Sequence, residues 1–181
     1  MMLKRSGFAG LMAAGLLLAS AQVPAVDVPV KITGTILIPP CTVNDGKTIE
    51  VDFGDVSVTD VDNTRNQQKV TVPVKCSYAQ GTAYVKVAGV QLGSNTNVLK
   101  TNVDNFGIAL YQGVGTETKL VLGDGKHNGQ DSIGYPIEKG LTGSGQENGT
   151  FTFTAVPFKE GNGTLNAGKF EASANMSISY L

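Results

Sequence analysis

The chain contains no tryptophan, one histidine and two cysteines, and only 16% of its residues are charged. Each shortage removes a kind of chemistry. Two Cys and one His cannot supply the four ligands of a structural zinc site or the thiolates of an iron–sulfur cluster. With His127 as the one imidazole, the acid–base catalysis that triad hydrolases build on histidine has little to draw on. The 14 Lys and Arg are matched by 15 Asp and Glu, for a formal net charge of -1, and no basic cluster stands out. Nucleic-acid affinity depends on neutralising phosphates, so nucleic acid is not an expected partner. No cofactor is expected either. What is present is apolar and rich in turns: hydrophobic residues make up 41% of the 181, and 23 are Gly. That composition describes one globular domain rather than a disordered or coiled chain.

Residues 1–25 read as a secretory signal. Lys4 and Arg5 are cationic, residues 8–19 are apolar, and small residues follow at Ala19, Ala21 and Ala25. Cleavage after Ala21 and after Ala25 both fit, and the boundary is taken at Ala25. The apolar run is shorter than the roughly 20 residues of a membrane-spanning helix. Export to an oxidising compartment turns Cys41 and Cys76 into partners, so one intramolecular disulfide is expected. Closing a loop of about 35 residues contributes on the order of 3 to 4 kcal/mol by restricting the unfolded chain.

The dominant period of the mature chain is two. Val26, Val28, Val30, Ile32, Gly34, Ile36 and Ile38 share one parity, and Asp27, Pro29, Lys31, Thr33 and Thr35 the other, until Pro39 and Pro40 end the run. Strand-like runs follow at residues 49–53, 70–75, 83–90, 106–112, 119–122 and 151–158, each bounded by Gly, Asn, Asp or Pro. Turn chemistry is supplied by Asn44-Asp45-Gly46, Gly123-Asp124-Gly125, Asn128-Gly129 and Asn162-Gly163. The last run alternates most cleanly: after Gly168, residues Phe170, Ala172, Ala174, Met176, Ile178 and Tyr180 share a face, opposite Glu171, Ser173, Asn175, Ser177 and Ser179. No helix of ten residues is expected. The pattern predicts an all-β sandwich of immunoglobulin type with a single core.

Candidate chemistry is thin. The carboxylate pairs Asp60/Asp62 and Asp52/Asp55 would need to face one cleft to act as a glycosidase pair, and solvated turn residues account for them better. Asp124, Asn128 and Asp131 lack the ordered spacing and the terminal Glu of a calcium loop. Gly123-x-Gly125 and Gly143-x-Gly145 do not continue into a phosphate-binding motif and read as turns, and His127 reads as a surface residue. The sequons at Asn148, Asn162 and Asn175 are assigned no role. A sugar platform would use clustered aromatics, whereas Tyr78, Tyr84, Tyr111 and Tyr135 are scattered.

Several stretches together resemble the pilin subunits of the chaperone–usher pathway. These are Ile38-Pro39-Pro40-Cys41-Thr42, Val51-Asp52-Phe53-Gly54, the second Cys at 76, Phe106-Gly107-Ile108-Ala109-Leu110-Tyr111, Phe151-Thr152-Phe153-Thr154-Ala155-Val156-Pro157-Phe158 and the terminal Ile178-Ser179-Tyr180-Leu181. Tyr180, next to last, and Gly168 resemble the family's C-terminal signature. Within the family the likeness is strongest to minor subunits that join an adhesin to a tip fibrillum.

The resemblance implies an incomplete immunoglobulin-like sandwich, residues 39–181, lacking its last strand, and an N-terminal donor-strand extension, residues 26–38. Val28, Val30, Ile32, Gly34 and Ile36 would be the donor face, inserted into a neighbouring subunit. Gly168, Phe170, Ala172, Ala174, Met176, Ile178 and Tyr180 would form the strand that faces the core or lines this chain's own groove. A periplasmic pilus chaperone fills that groove first and the next subunit later, by strand addition. The implied partners are that chaperone, an outer-membrane usher, the adhesin and neighbouring pilins, and the implied destination is a fimbrium on the bacterial surface. No enzymatic activity is implied. Fibrillum and rod subunits would share these features, and a carbohydrate-binding adhesin is the remaining alternative.

Overall fold

The structure, a computed structural model, describes residues 27–125 and 133–181. His127, Asn128, Gly129, Asp131 and the signal segment lie outside the described residues. Among those described, the chain forms nine strands and one short 3-10 turn. In chain order they are β1 (Thr42–Val43), the turn Asn44–Gly46, β2 (Gln68–Lys75), β3 (Ala83–Gly89), β4 (Val98–Lys100), β5 (Phe106–Gln112), β6 (Tyr135–Pro136), β7 (Leu141–Thr142), β8 (Asn148–Lys159) and β9 (Ala174–Tyr180). The large sheet runs β1-β2-β8-β5-β4, with β7 also paired to β8, and the small sheet runs β6-β3-β9.

The two sheets enclose one main core. From the large sheet come Val72, Val74, Ile108, Leu110, Phe151, Phe153 and Ala155, and from the small sheet Val85, Val87, Ile178 and Tyr180. Alternation does the sorting. In β2, Val72 and Val74 point inward while Thr71, Pro73 and Lys75 point out, and Val72 sits opposite Phe151 of β8. Pro73 is tolerated because the pairing with β1 reaches only Val74, so no ladder needs its missing N–H on that side. In β5 the alternation fails, because Ala109 on the outer face is covered too, by Leu92, Val98 and Val156. The disulfide joins Cys41 to Cys76 with their Cα atoms 4.2 Å apart, so the expected pairing is present.

Several predicted runs differ. Residues 49–53 and 119–122 form no strand. The first packs half-buried apolar side chains on the core without joining a ladder. The second is held by isolated bonds, Leu120 N–H to Leu110 and Leu122 N–H to Thr96. Residues 27–40 form no strand, and Val28, Val30 and Ile32 are exposed. A period of two becomes a strand only where a partner offers a ladder. The final strand begins at Ala174 rather than at Gly168, for a reason that also defines the site.

A candidate strand-accepting groove

The pairing of β9 with β3 fixes which way each backbone group points. Leu181 and Thr82 exchange N–H···O bonds in both directions, at 2.8 and 2.9 Å. In an antiparallel ladder such pairs alternate with pairs that do not bond. The next residues bonded to β3 are therefore Ser179, Ser177 and Asn175, opposite Tyr84, Lys86 and Ala88. The N–H and C=O of Met176 and Ala174, and by continuation of Ala172 and Phe170, point away from β3. On that outer edge the backbone of Cys41 donates to the carbonyl of Ile178 at 2.8 Å. From Met176 back to Phe170, no strand among the described residues lies alongside.

Across the gap runs the extended segment 49–53. Ile49, Val51 and Phe53 turn their side chains inward and pack on the core, between the exposed Glu50 and Asp52. It ends where Asp52 accepts the N–H of Gly54 at 2.8 Å, with Gly54 at φ +59, a left-handed conformation that favours glycine. Between the two walls lie two hollows, of about 630 Å³ and about 260 Å³. Val51, Phe53 and Phe170 line both. The Phe170 ring meets Phe106 edge-on at 4.9 Å and Phe53 at 6.0 Å, so these rings form a partition along a continuous groove. The smaller hollow is floored by Val87, Leu99, Ile108, Leu110, Phe153 and Ala155. These are core residues that a closed sandwich would cover.

The proposed site residues fall into two groups. Gly168 lines the larger hollow, Ala172, Ala174 and Met176 line the smaller, and Phe170 lines both. Ile178 and Tyr180 are buried in the core instead, and the Tyr180 hydroxyl accepts the Gly145 N–H at 3.4 Å. They anchor the strand rather than line the opening. Val51 and Phe53 belong to the site through the opposite wall, a role that the sequence signalled only as a short alternating run.

Of the carboxylate pairs, Asp52 and Asp55 both line the larger hollow, whereas Asp60 and Asp62 line neither. Asp62 accepts the N–H groups of Thr64 and Arg65 and the Thr64 hydroxyl, and pairs with Arg65 at 2.8 Å. Bonds to the charged form, led by the Arg65 N–H, lower its pKa from 3.8 to about 2. Asp60 also reaches Arg65, at 3.4 Å, so the pair organises an exposed turn. Asp124 pairs with Lys86. Among the described residues no three His, Cys, Asp or Glu side chains converge as metal ligands.

An apolar groove beside an open strand edge is a surface for strand addition, since an incoming segment supplies ladder bonds to the edge and side chains to the hollows. The chain belongs to the Fimbrial protein family, whose sequence model matches residues 30–181. The family is one of structural subunits, not enzymes, and its fold is the all-β pilin sandwich. The chain is similar to the fimbrial adapter PapF of Escherichia coli, 46% identical over 166 residues that cover 91% of this chain and 94% of that protein. It is 45% identical to the minor fimbrial protein PrsF of Escherichia coli, with the same coverage. A solved structure of the P pilus adaptor subunit PapF matches with a TM-score of 0.55 at 39% identity, covering 81% of this chain and all of that one.

Proposed function

We propose that this protein is a structural minor subunit of a chaperone–usher fimbria, a tip adaptor that joins an adhesin to the tip fibrillum by donor-strand exchange. The observation that carries the proposal is the outer edge of residues 170–176, whose backbone meets no strand among the described residues and whose side chains line a hollow over the core. Exposed apolar surface of this kind with a free edge invites aggregation unless another chain covers it. A periplasmic pilus chaperone fills the groove first, and an outer-membrane usher exchanges it for the extension of the next subunit. Similarity to relatives named as an adapter and a minor fimbrial protein supports the place at the tip.

The segment 26–38 is the second half of the link. Val28, Val30, Ile32 and Ile36 are 76%, 81%, 88% and 101% exposed, an apolar row suited to filling pockets in a neighbour. In this reading residues 1–25 direct export to the periplasm, 26–38 are donated to the adhesin's pilin domain, and 39–181 accept the following subunit on the cell surface.

Deleting residues 26–36, with the export segment 1–25 kept, tests the division of labour. The truncated protein should still co-purify with a pilus chaperone and should fail to attach to the adhesin. Attachment at the full-length level would overturn the donor role, and loss of the chaperone complex would overturn the independence of the groove.

A further inference from the structure

The inner edge of the groove wall is held in an unexpected way. β3 ends at Gly89, opposite Ala174, and the chain then crosses to the large sheet, where Lys100 donates to Val90 and Leu92 to Val98. Among the described residues no strand pairs with residues 168–173 on the β3 side either. A side chain takes that place. The Asn102 amide donates from Nδ2 to the Lys169 carbonyl at 3.1 Å, and its Oδ1 accepts the Glu171 N–H at 2.8 Å. These two bonds flank Phe170. A residue of an adjacent parallel strand, placed opposite Phe170, would make the same two contacts through its own N–H and C=O.

The turn that carries this exposed amide is braced. Asn102 lies at the tip of the β4–β5 hairpin, next to buried Thr101. The Thr101 hydroxyl donates to the Phe106 carbonyl at 2.8 Å and accepts the Val103 N–H at 3.1 Å. Only a side chain with both donor and acceptor, at the spacing of a peptide group, can hold both neighbours of Phe170.

We infer that Asn102 is a positioning residue of the strand-accepting groove: its amide replaces a missing strand, keeps residues 169–171 extended, and so presents the outer edge of Phe170 and Ala172 ready for an incoming ladder. The inference rests on the groove's proposed role in strand exchange. Asn63 provides an internal control. Its amide makes the same number of bonds, donating to the Lys159 carbonyl at 3.2 Å and accepting the Lys159 N–H, but at the end of β8 rather than on the groove edge.

The test uses the mature chain in complex with a periplasmic pilus chaperone, and a synthetic peptide copying the N-terminal extension of the pilin that follows it in the fibre as the displacing strand. Asn102→Ala should slow displacement of the chaperone about tenfold, the scale set by two ordinary hydrogen bonds, and speed exchange of the Glu171 amide by at least as much. Asn102→Asp keeps the acceptor for Glu171 and loses the donor to Lys169, so it should fall between Asn102→Ala and the wild type and remains informative if Asn102→Ala fails to fold. Asn63→Ala should leave displacement unchanged. Wild-type displacement rates in both Asn102 variants, or equal slowing by Asn63→Ala, would overturn the assignment to Asn102 while leaving the groove reading intact. A wild-type complex that the peptide never displaces would overturn the groove reading and this inference with it.

Discussion

Cys41 donates its backbone N–H to the carbonyl of Ile178 at 2.8 Å, and the same residue is tied through its sulfur to Cys76. One residue therefore closes the outer edge of β9 and is itself anchored to the end of β2. The free edge stops at Met176 because Cys41 occupies the next outward carbonyl. At the other end it is bounded by the segment that Asn102 holds. The length of strand the groove accepts follows from these two limits.

Replacing both cysteines by alanine should lower the stability of the strand-filled subunit by on the order of 3 to 4 kcal/mol, the value of closing a loop of about 35 residues. Urea unfolding of the chaperone-bound subunit, with and without reductant, measures it. Identical midpoints would mean that the disulfide does not constrain the unfolded chain.

Met176→Asp places a carboxylate against the floor of the smaller hollow, which Leu110 and Phe153 also line. Burying it under an incoming strand should cost several kcal/mol. Periplasmic abundance should fall in the presence of the chaperone, whereas Met176→Leu should be tolerated. Immunoblotting of periplasmic extracts decides it, and equal levels of the Asp variant would argue against this face as the docking surface.

Gly107 admits no side chain. A Cβ there would lie 2.6 Å from the Leu99 carbonyl oxygen and from Val98 Cγ1, at the pairing of β5 with β4. Gly107→Val should destabilise the subunit by about 1 to 3 kcal/mol or more, through overpacking. Because Thr101 and Asn102 follow directly on β4, the same substitution should also speed amide exchange at Glu171. Wild-type stability would show that the hairpin can move apart without loss.

The Asp62 turn carries a pH signature. Its pKa is depressed from 3.8 to about 2 by hydrogen bonds to the carboxylate, the Arg65 N–H first. A depressed value means that the folded state binds the proton less readily than the unfolded chain. The local stabilisation is therefore complete above 3.8 and is lost as pH falls from there through about 2. An NMR titration of the Asp62 carboxyl should give a midpoint near 2, with the Thr64 and Arg65 amides exchanging faster over the same window. A midpoint near 3.8 would show that the turn does not form in solution.

Much of this was legible in the sequence where periodicity and burial agree. Val72 and Val74, Phe151 and Phe153, and Ile178 and Tyr180 alternate because one face of each strand meets the core. The reading weakened where alternation occurs without a ladder: residues 49–53 and 168–173 carry the pattern of strands, yet no strand among the described residues pairs with them. β1, β4, β6 and β7 were missed because two or three residues leave no periodic trace. The Asn102 contact was not legible at all, since it joins positions 67 residues or more apart through a single side chain that belongs to no motif.

The most direct test of the central claim is amide hydrogen exchange at Phe170, Ala172, Ala174 and Met176 in the purified complex with a periplasmic pilus chaperone. Two of these residues face an added strand through groups that nothing else in the described chain engages, Ala172 and Ala174, and the other two bound that stretch. The account predicts strong protection at all four, comparable to Val85 and Val87 in the adjoining strand. An intact complex in which these four amides exchange as fast as those of exposed loops would contradict it, because the partner would then be bound somewhere other than the open edge.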